Sequence, residues 1–366
     1  MQTRRILYGV MGEGLGHAMR ARVMIDELQA QGHIVLAASS SKATLLLRTH
    51  GIPVVDVDGL HLVTREGAVL RARTVRENLA ATPRRLKTAA GIPWQTVQAF
   101  EPDVVVSDFE SFSHAVGRSL GVPVITLDHQ HIMSVANHTA VLNHRPSSSV
   151  AMARAFVHAK LPGCRHHIVP TFFFAPLKKR HRTTTTLTGP ILRPAWTSAR
   201  SLPGDHVVVY QTARGDSSLL RALAGVPDVS FRVYGAGVGQ FAANVVGCRF
   251  SEAGFLEDMR LSRAVLANGG FTGIAEAIVL RKPVLSVPLQ HQGEQALNAL
   301  WLEELGHGRA ADRWTPDVVK GFLDAVAGAR FRVPDDDEDA RLRSGTKDAL
   351  AALNGQLERL ALRSVA

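Results

Sequence analysis

The stretch Asn268–Pro288, NGGFTGIAEAIVLRKPVLSVP, places three glycines, Gly269, Gly270 and Gly273, between two strongly apolar runs. The residues before it, AVLAN (264–268), have the length and apolarity of a buried strand, and VLSVP (284–288) reads as the next one. Between them IAEAIVL (274–280) reads as a helix, with Thr272 placed to cap it, Arg281 and Lys282 in its last turn and Pro283 ending it. The glycines therefore fall on a strand-to-helix turn. Such a turn directs free backbone N–H groups and the positive end of a helix dipole at one point, where a phosphate binds well, and glycine lets the backbone approach the ligand closely. A tight turn with helix-packing glycines would carry the same pattern.

Outward from this stretch the chain alternates in the same way. In the first 130 residues RILYGV, HIVLAAS, IPVVDVDG, PDVVVSD and VPVITLD read as strands, and AMRARVMIDELQAQG, KATLLLRTHG and FSHAVGRSLG as helices, with a basic helical stretch near 70–90. Apolar strands that alternate with helices imply a parallel, doubly wound sheet. The segment 168–196, with its Thr run and Gly189-Pro190, breaks the rhythm and reads as a domain crossover. Alternation restarts in HVVVYQTARGDS, VSFRVYG, SRAVLANGG and KPVLSVP. The expected class is α/β, with two Rossmann-like doubly wound domains facing a central cleft. Residues 1–188 form the N-terminal domain and 189–340 the C-terminal one. Residues 341–366 form a C-terminal helix that packs back toward the N-terminal domain, after an acidic segment (335–339) read as a solvated loop.

Length and composition agree with two soluble globular domains: 366 residues, 46% hydrophobic and 20% charged. No apolar run approaches the roughly 18 residues of a membrane span, and the apolar start is too short and Gly-broken for a signal peptide. Cys164 and Cys248 lack metal-ligand spacing and read as free thiols of a cytoplasmic protein. Charge is uneven: residues 1–190 hold 22 Lys and Arg against 12 Asp and Glu, whereas the rest holds 20 of each. A basic half suits an anionic substrate, an acidic membrane surface or nucleic acid, or is a solubilising surface.

A second Gly-rich turn, GVMGEGLGHAMRA (9–21), opens the chain. A dinucleotide site would need an acidic residue at the end of the second strand, and that strand ends in ASSSK, which disfavours NAD. The loop instead delivers His17 to a helix start at the carboxyl edge of the sheet, where an imidazole can act as a general base.

Together these residues resemble the GT-B glycosyltransferases. The likeness is to the peptidoglycan N-acetylglucosaminyltransferases (family 28-like) and to a poorly characterised group of bacterial and archaeal transferases. GVMGEGLGH is similar to the opening of their acceptor domain, and residues 254–306 to the donor-domain signature. VVSDFESFSHAVGRSLGVPVITLDHQH (105–131) looks like the poorly characterised group. The resemblance implies that Gly269, Gly270, Phe271, Thr272 and Gly273 hold the nucleotide diphosphate and that Glu276 binds the ribose hydroxyls. Main chain near Phe255 and Leu256 would read the base, and Gln290, His291, Glu294, Gln295 and Asn298 would face the donor sugar. Gln211, Thr212 and Arg214 are further phosphate candidates. On the acceptor side, with Gly14, Gly16, His129 and His131, His17 would deprotonate the acceptor, oriented by Asp108 or, failing that, Glu110. Asp108 could equally be a helix N-cap.

The implied activity is inverting transfer of a sugar from a nucleotide sugar, UDP-linked by preference, to a small-molecule or lipid-linked acceptor, with no metal and no other cofactor. A nucleotide-sugar 2-epimerase and a non-catalytic nucleotide-sugar sensor share the architecture. A zinc site at DHQH (128–131) is disfavoured, because residues two apart point to opposite faces if extended. Residues 61–95 carry seven Arg and Lys and two acids, a basic face suited to peripheral contact with an anionic membrane or to an anionic acceptor. That stretch has no interleaved stacking aromatics, which disfavours nucleic acid.

Overall fold

Val, Ile and Leu dominate the short runs between turn signals, and in the computed structural model of the chain these runs form two seven-stranded sheets. The structure describes residues 2–59, 64–65, 68–70, 73–74, 76–77, 80, 90–211 and 217–364. The first sheet contains β1 (Arg5–Val10), β2 (Ile34–Ser39) and β3 (Val54–Asp56). A small hairpin, β4 (Thr64–Arg65) and β5 (Ala68–Val69), lies outside it. The sheet continues with β6 (Val104–Asp108), β7 (Val124–Leu127), β8 (His166–Pro170) and β9 (Thr185–Thr188). Its order is β3-β2-β1-β6-β7-β8-β9, every pair parallel.

The second sheet contains β10 (Val207–Tyr210), β11 (Phe231–Tyr234), β12 (Gly239–Ala242), β13 (Val245–Cys248), β14 (Ala264–Ala267), β15 (Val284–Ser286) and β16 (Gly308–Ala310). Its order is β12-β13-β11-β10-β14-β15-β16, and β12 alone runs antiparallel to its neighbour. Strands such as β6, β7 and β14 are buried along their whole length, as helix-covered parallel strands must be.

Strand order reverses direction between β1 and β6 in the first sheet, and between β10 and β14 in the second. Ligands bind beyond the carboxyl ends of strands at such switch points. The first crevice lies between helices α1 (Leu15–Ala30) and α4 (Ser111–Ser119), with α2 (Ser41–Thr49) and α3 (Ile92–Phe100) farther out. A further helix, α5 (Ser148–Lys160), packs against the start of the Gly293–Glu304 helix of the second domain, in which α6 (Ser217–Ala224), α7 (Glu252–Arg260) and α8 (Phe271–Val279) follow their strands. Then come α9 (Gly293–Glu304), α10 (Pro316–Ala327), α11 (Asp336–Arg343) and α12 (Gly345–Ser364).

One hydrophobic core is shared between the sheets: Phe109, Ile132, Phe172 and Phe173 of the first half pack with Phe271, Ile274, Leu297 and Trp301 of the second. Ala349, Leu353 and Leu357 of α12 are buried in the core of the first sheet with Met24, Leu28 and Ile168.

The structure differs from the sequence reading in four places. The second half of the Thr run enters strand β9, while Thr183 and Thr184 lie in the turn before it, so the segment adds a strand to the first sheet; the β-branched residues of β9 suit extended backbone. The acidic segment starts helix α11, with Asp335 accepting from Glu338 N and four acids in the first turn, where the helix dipole favours them. The β12–β13 hairpin was not expected. Helix α8 begins at Phe271 with Gly270 as its N-cap, so Thr272 lies inside the first turn, and Arg281 and Lys282 lie past its end. The basic helical stretch near 70–90 lies largely outside the described residues.

Candidate active site

Helix α1 follows β1 through a loop in which Gly14, at φ 87°, is the N-cap with no side-chain cap. His17 is therefore held two residues into α1, at the carboxyl end of β1. Its neighbour in the sheet is the end of β6, because Val10 pairs with Asp108. His17 Nδ1 lies 2.8 Å from Asp108 Oδ1, and both residues are buried. Arg20, one turn along the same helix face, donates from Nε to Asp108 Oδ2 at 2.7 Å and from Nη2 to Oδ1. This buried guanidinium–carboxylate pair is bidentate. Burial opposes the Arg20 charge, but Asp108 outweighs it and Arg20 holds its proton more tightly than usual.

Gln130 and Asp108 favour one His17 tautomer, and Arg20 opposes it. Gln130 Nε2 lies 3.1 Å from Glu294 Oε2 and 3.2 Å from His17 Nε2. A carboxylate only accepts, so the Gln130 amide nitrogen must face Glu294, and the same NH2 group donates to His17 Nε2. His17 Nε2 is then an acceptor, and Nδ1 carries the hydrogen given to Asp108. The nearby Arg20 Nη2, 2.7 Å from Nδ1, is a contact between two donors that both serve the carboxylate. Such an imidazole has an anion behind it and its basic lone pair held by the Gln130 amide, which an acceptor hydroxyl must displace to reach Nε2.

Asp108 is not the helix N-cap. Glu110 fills that role, accepting from Phe112 N at 2.8 Å and Ser113 N at 2.6 Å. Phe109, at φ 54°, makes the turn between them. Lys160 of α5 donates to Phe109 O at 2.6 Å and sits 3.8 Å from the Phe109 ring centroid. Burial lowers the Lys160 ammonium to about 8, against the pull of Glu110, Asp128 and Asp108.

The two histidines of DHQH diverge through a turn. His131 returns to Asp128, with Nδ1 2.8 Å from Oδ2, and stacks on His167 at 4.4 Å. Burial resists the Asp128 charge, but His131 outweighs it and holds the carboxyl below its ordinary range. His129 points to the second domain: its ring stacks on Phe271 at 4.0 Å, and its Nε2 lies 2.8 Å from Asn298 Oδ1. No cluster of three or more metal-ligating side chains occurs among the described residues.

On the donor side β14 ends at Ala267 and the chain turns through Asn268 and Gly269, the latter at φ 91°, into α8. A Cβ on Gly269 would meet Gln295 O at 2.9 Å and Ser286 Oγ at 3.0 Å, so the turn needs glycine twice over. Because α8 starts on Gly270 with no side-chain cap, the amides of Phe271, Thr272 and Gly273 have no capping oxygen. The two half-sites touch here: a Cβ on Gly16 would fall 2.7 Å from Thr272 Oγ1.

Glu276 is buried and receives Arg193 Nη2 at 2.6 Å. Burial raises its pKa, opposed by Arg193. Gln211 is buried, and among the described residues neither its Nε2 nor Ser286 Oγ beside Gly269 has a hydrogen-bond partner. Gln295 is buried and accepts from Leu289 N, while Glu294 holds Gln130. Gln290 and His291 are exposed on the preceding loop, His291 at φ 69°, and Gln290 bridges to Ala68 of β5. Phe255 and Leu256 do not present free main chain as expected: they lie within α7, and Phe255 N donates to Ser251 O. The Phe255 ring instead packs with Tyr210, Tyr234, Phe250 and Trp196. Thr212 and Arg214 lie outside the described residues.

Three residues escaped the sequence reading. Arg20 was detectable, being three residues after His17 on one helix face. Gln130 was read only as part of a metal question. Arg193 carries no local signal: it follows the crossover and reaches Glu276 through the fold, with Nε and Nη1 buried and making no hydrogen bond among the described residues and Glu252 3.6 Å from Nη1.

Two parallel-dominated sheets, with their half-sites facing at the switch points, define the GT-B architecture. Residues 4–327 match the Glycosyl transferase family 1, and the chain belongs to that family. It is 25% identical over 350 residues to an uncharacterised glycosyltransferase of Methanosarcina acetivorans, covering 88% of this chain and 87% of the relative. Its fold is similar to that of a spinosyn rhamnosyltransferase solved with thymidine diphosphate (TM-score 0.62, 18% identity, 97% of this chain and 100% of the other). It is also similar to the MurG of Acinetobacter baumannii (TM-score 0.61, 14% identity, 97% and 100%).

Proposed function

We propose that this glycosyltransferase moves a hexose or N-acetylhexosamine from a nucleoside-diphosphate sugar, UDP-linked by preference, to an acceptor hydroxyl by one inverting displacement without a metal ion. The observation that carries this reading is the contact between Gly16 and Thr272, which sets the His17 loop against the helix start of the diphosphate turn. A hydroxyl placed at His17 Nε2 would lose its proton as its oxygen attacks the anomeric carbon, and Asp108 would stabilise the resulting imidazolium. The oxygen of the departing diphosphate would meet the α8 dipole and the first-turn amides, which supply the charge stabilisation a cation supplies elsewhere. Glu276 has the chemistry to accept from a ribose diol, and Arg193 beside it suits an anionic ligand: its Nε and Nη1 make no hydrogen bond among the described residues, with Glu252 3.6 Å from Nη1. The basic N-terminal half favours an acceptor that is anionic or sits on an anionic lipid surface. No helix among the described residues is long and apolar enough to cross a membrane.

The test is thermal stabilisation across UDP, dTDP, GDP, NAD and the corresponding sugars. A ligand at about 100 times its Kd adds roughly 2.7 kcal/mol, a shift of several degrees. Stabilisation by UDP or dTDP and none by NAD is expected; the thymidine diphosphate bound to the spinosyn enzyme makes dTDP the second choice. A folded sample that responds to no nucleotide would sink the donor-site reading.

A further inference from the structure

His129 is a buried titratable group that the transfer chemistry does not use. It lies at 0% exposure between the two domains, reaching from the turn after β7. Its Nδ1 lies 2.8 Å from Pro170 O, and its Nε2 lies 2.8 Å from Asn298 Oδ1. The orientation of the Asn298 amide is defined independently, because its Nδ2 donates to Gly269 O at 3.1 Å and a carbonyl can only accept. Both ring nitrogens of His129 therefore face oxygen acceptors, an arrangement that only the doubly protonated imidazolium satisfies. The ring also stacks on Phe271, the first residue of α8, with an interplanar angle of 10°, and meets Phe173 edge-on at 5.6 Å. A cation over an aromatic face is favourable.

Opposing this, burial holds the free imidazole below its ordinary pKa. The charged groups around it divide: Glu294 of α9 favours the cation, while Arg20 of α1 and, when protonated, His138 of the segment after α4 oppose it. His138 is held to about 4 by burial and is neutral above that. His129 thus has the hydrogen-bond geometry of a cation without a carboxylate in contact with it.

We propose that His129 is a proton-linked positioning residue, taking up a proton when a nucleoside diphosphate occupies the turn at Gly269–Gly273 and bracing that turn through Asn298. This rests on the donor-site reading above. The diphosphate brings negative charge to the N-terminus of α8, one side chain away from the imidazole, and supplies the counter-charge the ring lacks. The protonated ring then donates to Pro170 O and Asn298 Oδ1, and Asn298 holds the Gly269 carbonyl, so the acceptor domain fixes the shape of the diphosphate turn. The proton comes from solvent, and no bond other than N–H forms or breaks. Between the free and bound pKa values, each unit rise in pH weakens nucleotide binding by up to about tenfold, the effect of one proton.

The test is calorimetric titration of the full chain with UDP, or dTDP if that is the nucleotide bound, at neutral pH in buffers of different ionisation enthalpy. The slope of binding enthalpy against buffer enthalpy counts the protons exchanged, and the nucleotide's own ionisation is common to all variants. Wild type should take up a proton that His129→Phe, which keeps the stack on Phe271, does not. Asn298→Asp sets a carboxylate against Nε2 and should also lose the uptake, because the ring is already charged. It carries the test if the Phe variant fails to fold. Equal proton uptake in wild type and variants, or none in wild type, overturns the proposal and leaves the donor site standing. Absence of binding by any nucleotide overturns both.

Discussion

Replacing Asp108 by Asn changes one atom and separates two roles of that carboxylate. In the native chain Asp108 Oδ1 receives His17 Nδ1–H and Arg20 Nη2, and Oδ2 receives Arg20 Nε. An amide has one acceptor oxygen, so in either orientation its NH2 meets an Arg20 N–H. Arg20, 4% exposed, is left as a buried cation without its bidentate partner, and Asp128 and Glu294 compensate only at longer range. Breaking such a pair costs about 3–5 kcal/mol, or a fall in Tm of roughly 6–20 °C. Independently, the imidazolium formed in the reaction loses its anion. A hydrogen bond to a charged group is worth about 1.5–3 kcal/mol, so kcat should drop roughly 10- to 150-fold. The assay is UDP release from the donor sugar, with an acceptor or with water, at a temperature where circular dichroism shows the variant folded. The double variant Arg20→Met/Asp108→Leu removes both charges and should recover most of the lost stability but none of the activity. An Asp108→Asn protein that melts with wild type would refute the buried-pair argument. One that keeps kcat within threefold, once folded, would refute the assignment of His17 and Asp108 as the base and its support.

Acid should destabilise the fold early. His138 and His167 are held by burial to about 4 and about 3, against an ordinary value of 6.5, so below that pH the unfolded chain binds protons that the folded chain does not. Stability is therefore full above pH 6.5 and falls as pH drops toward 3, by about 1.4 kcal/mol per unit for each histidine; urea titrations at pH 7 and pH 5 with equal midpoints would contradict this. Glu276→Gln should abolish a preference for UDP over 2′-deoxy-UDP, roughly tenfold for one charge-assisted bond, and competition binding that shows the same ratio in both proteins would remove Glu276 from the ribose site. Leu353→Ala, at a fully buried position where α12 completes the core of the first sheet, should cost about 2–5 kcal/mol, read as a lower Tm. An unchanged Tm would mean that α12 does not hold that core together.

Much of the architecture was legible because strand runs and helix periods are local, and the Gly-rich turns at 9–16 and 268–273 mark the two switch points. The errors share a physical cause. Local pattern points to Thr272 as the cap of α8, whereas the helix starts on glycine, and a start without a side-chain cap is what leaves amides available to a ligand. Helix α1 begins the same way on Gly14, whereas α4 and α9 carry the side-chain caps Glu110 and Gln292. The choice between Asp108 and Glu110 shows the limit more sharply. Both are acids within three residues, and spacing alone allows either to support His17. What separates them is Phe109 at φ 54°, which turns the chain so that the strand's last carboxylate stays at the switch point and the next one caps α4. That turn is held by Lys160 from a helix some fifty residues later, and the Glu276 partner arrives from the crossover at Arg193. Sequence pattern identifies which residues stand at the strand ends; the assignment of their roles depends on long-range partners, which no local period encodes.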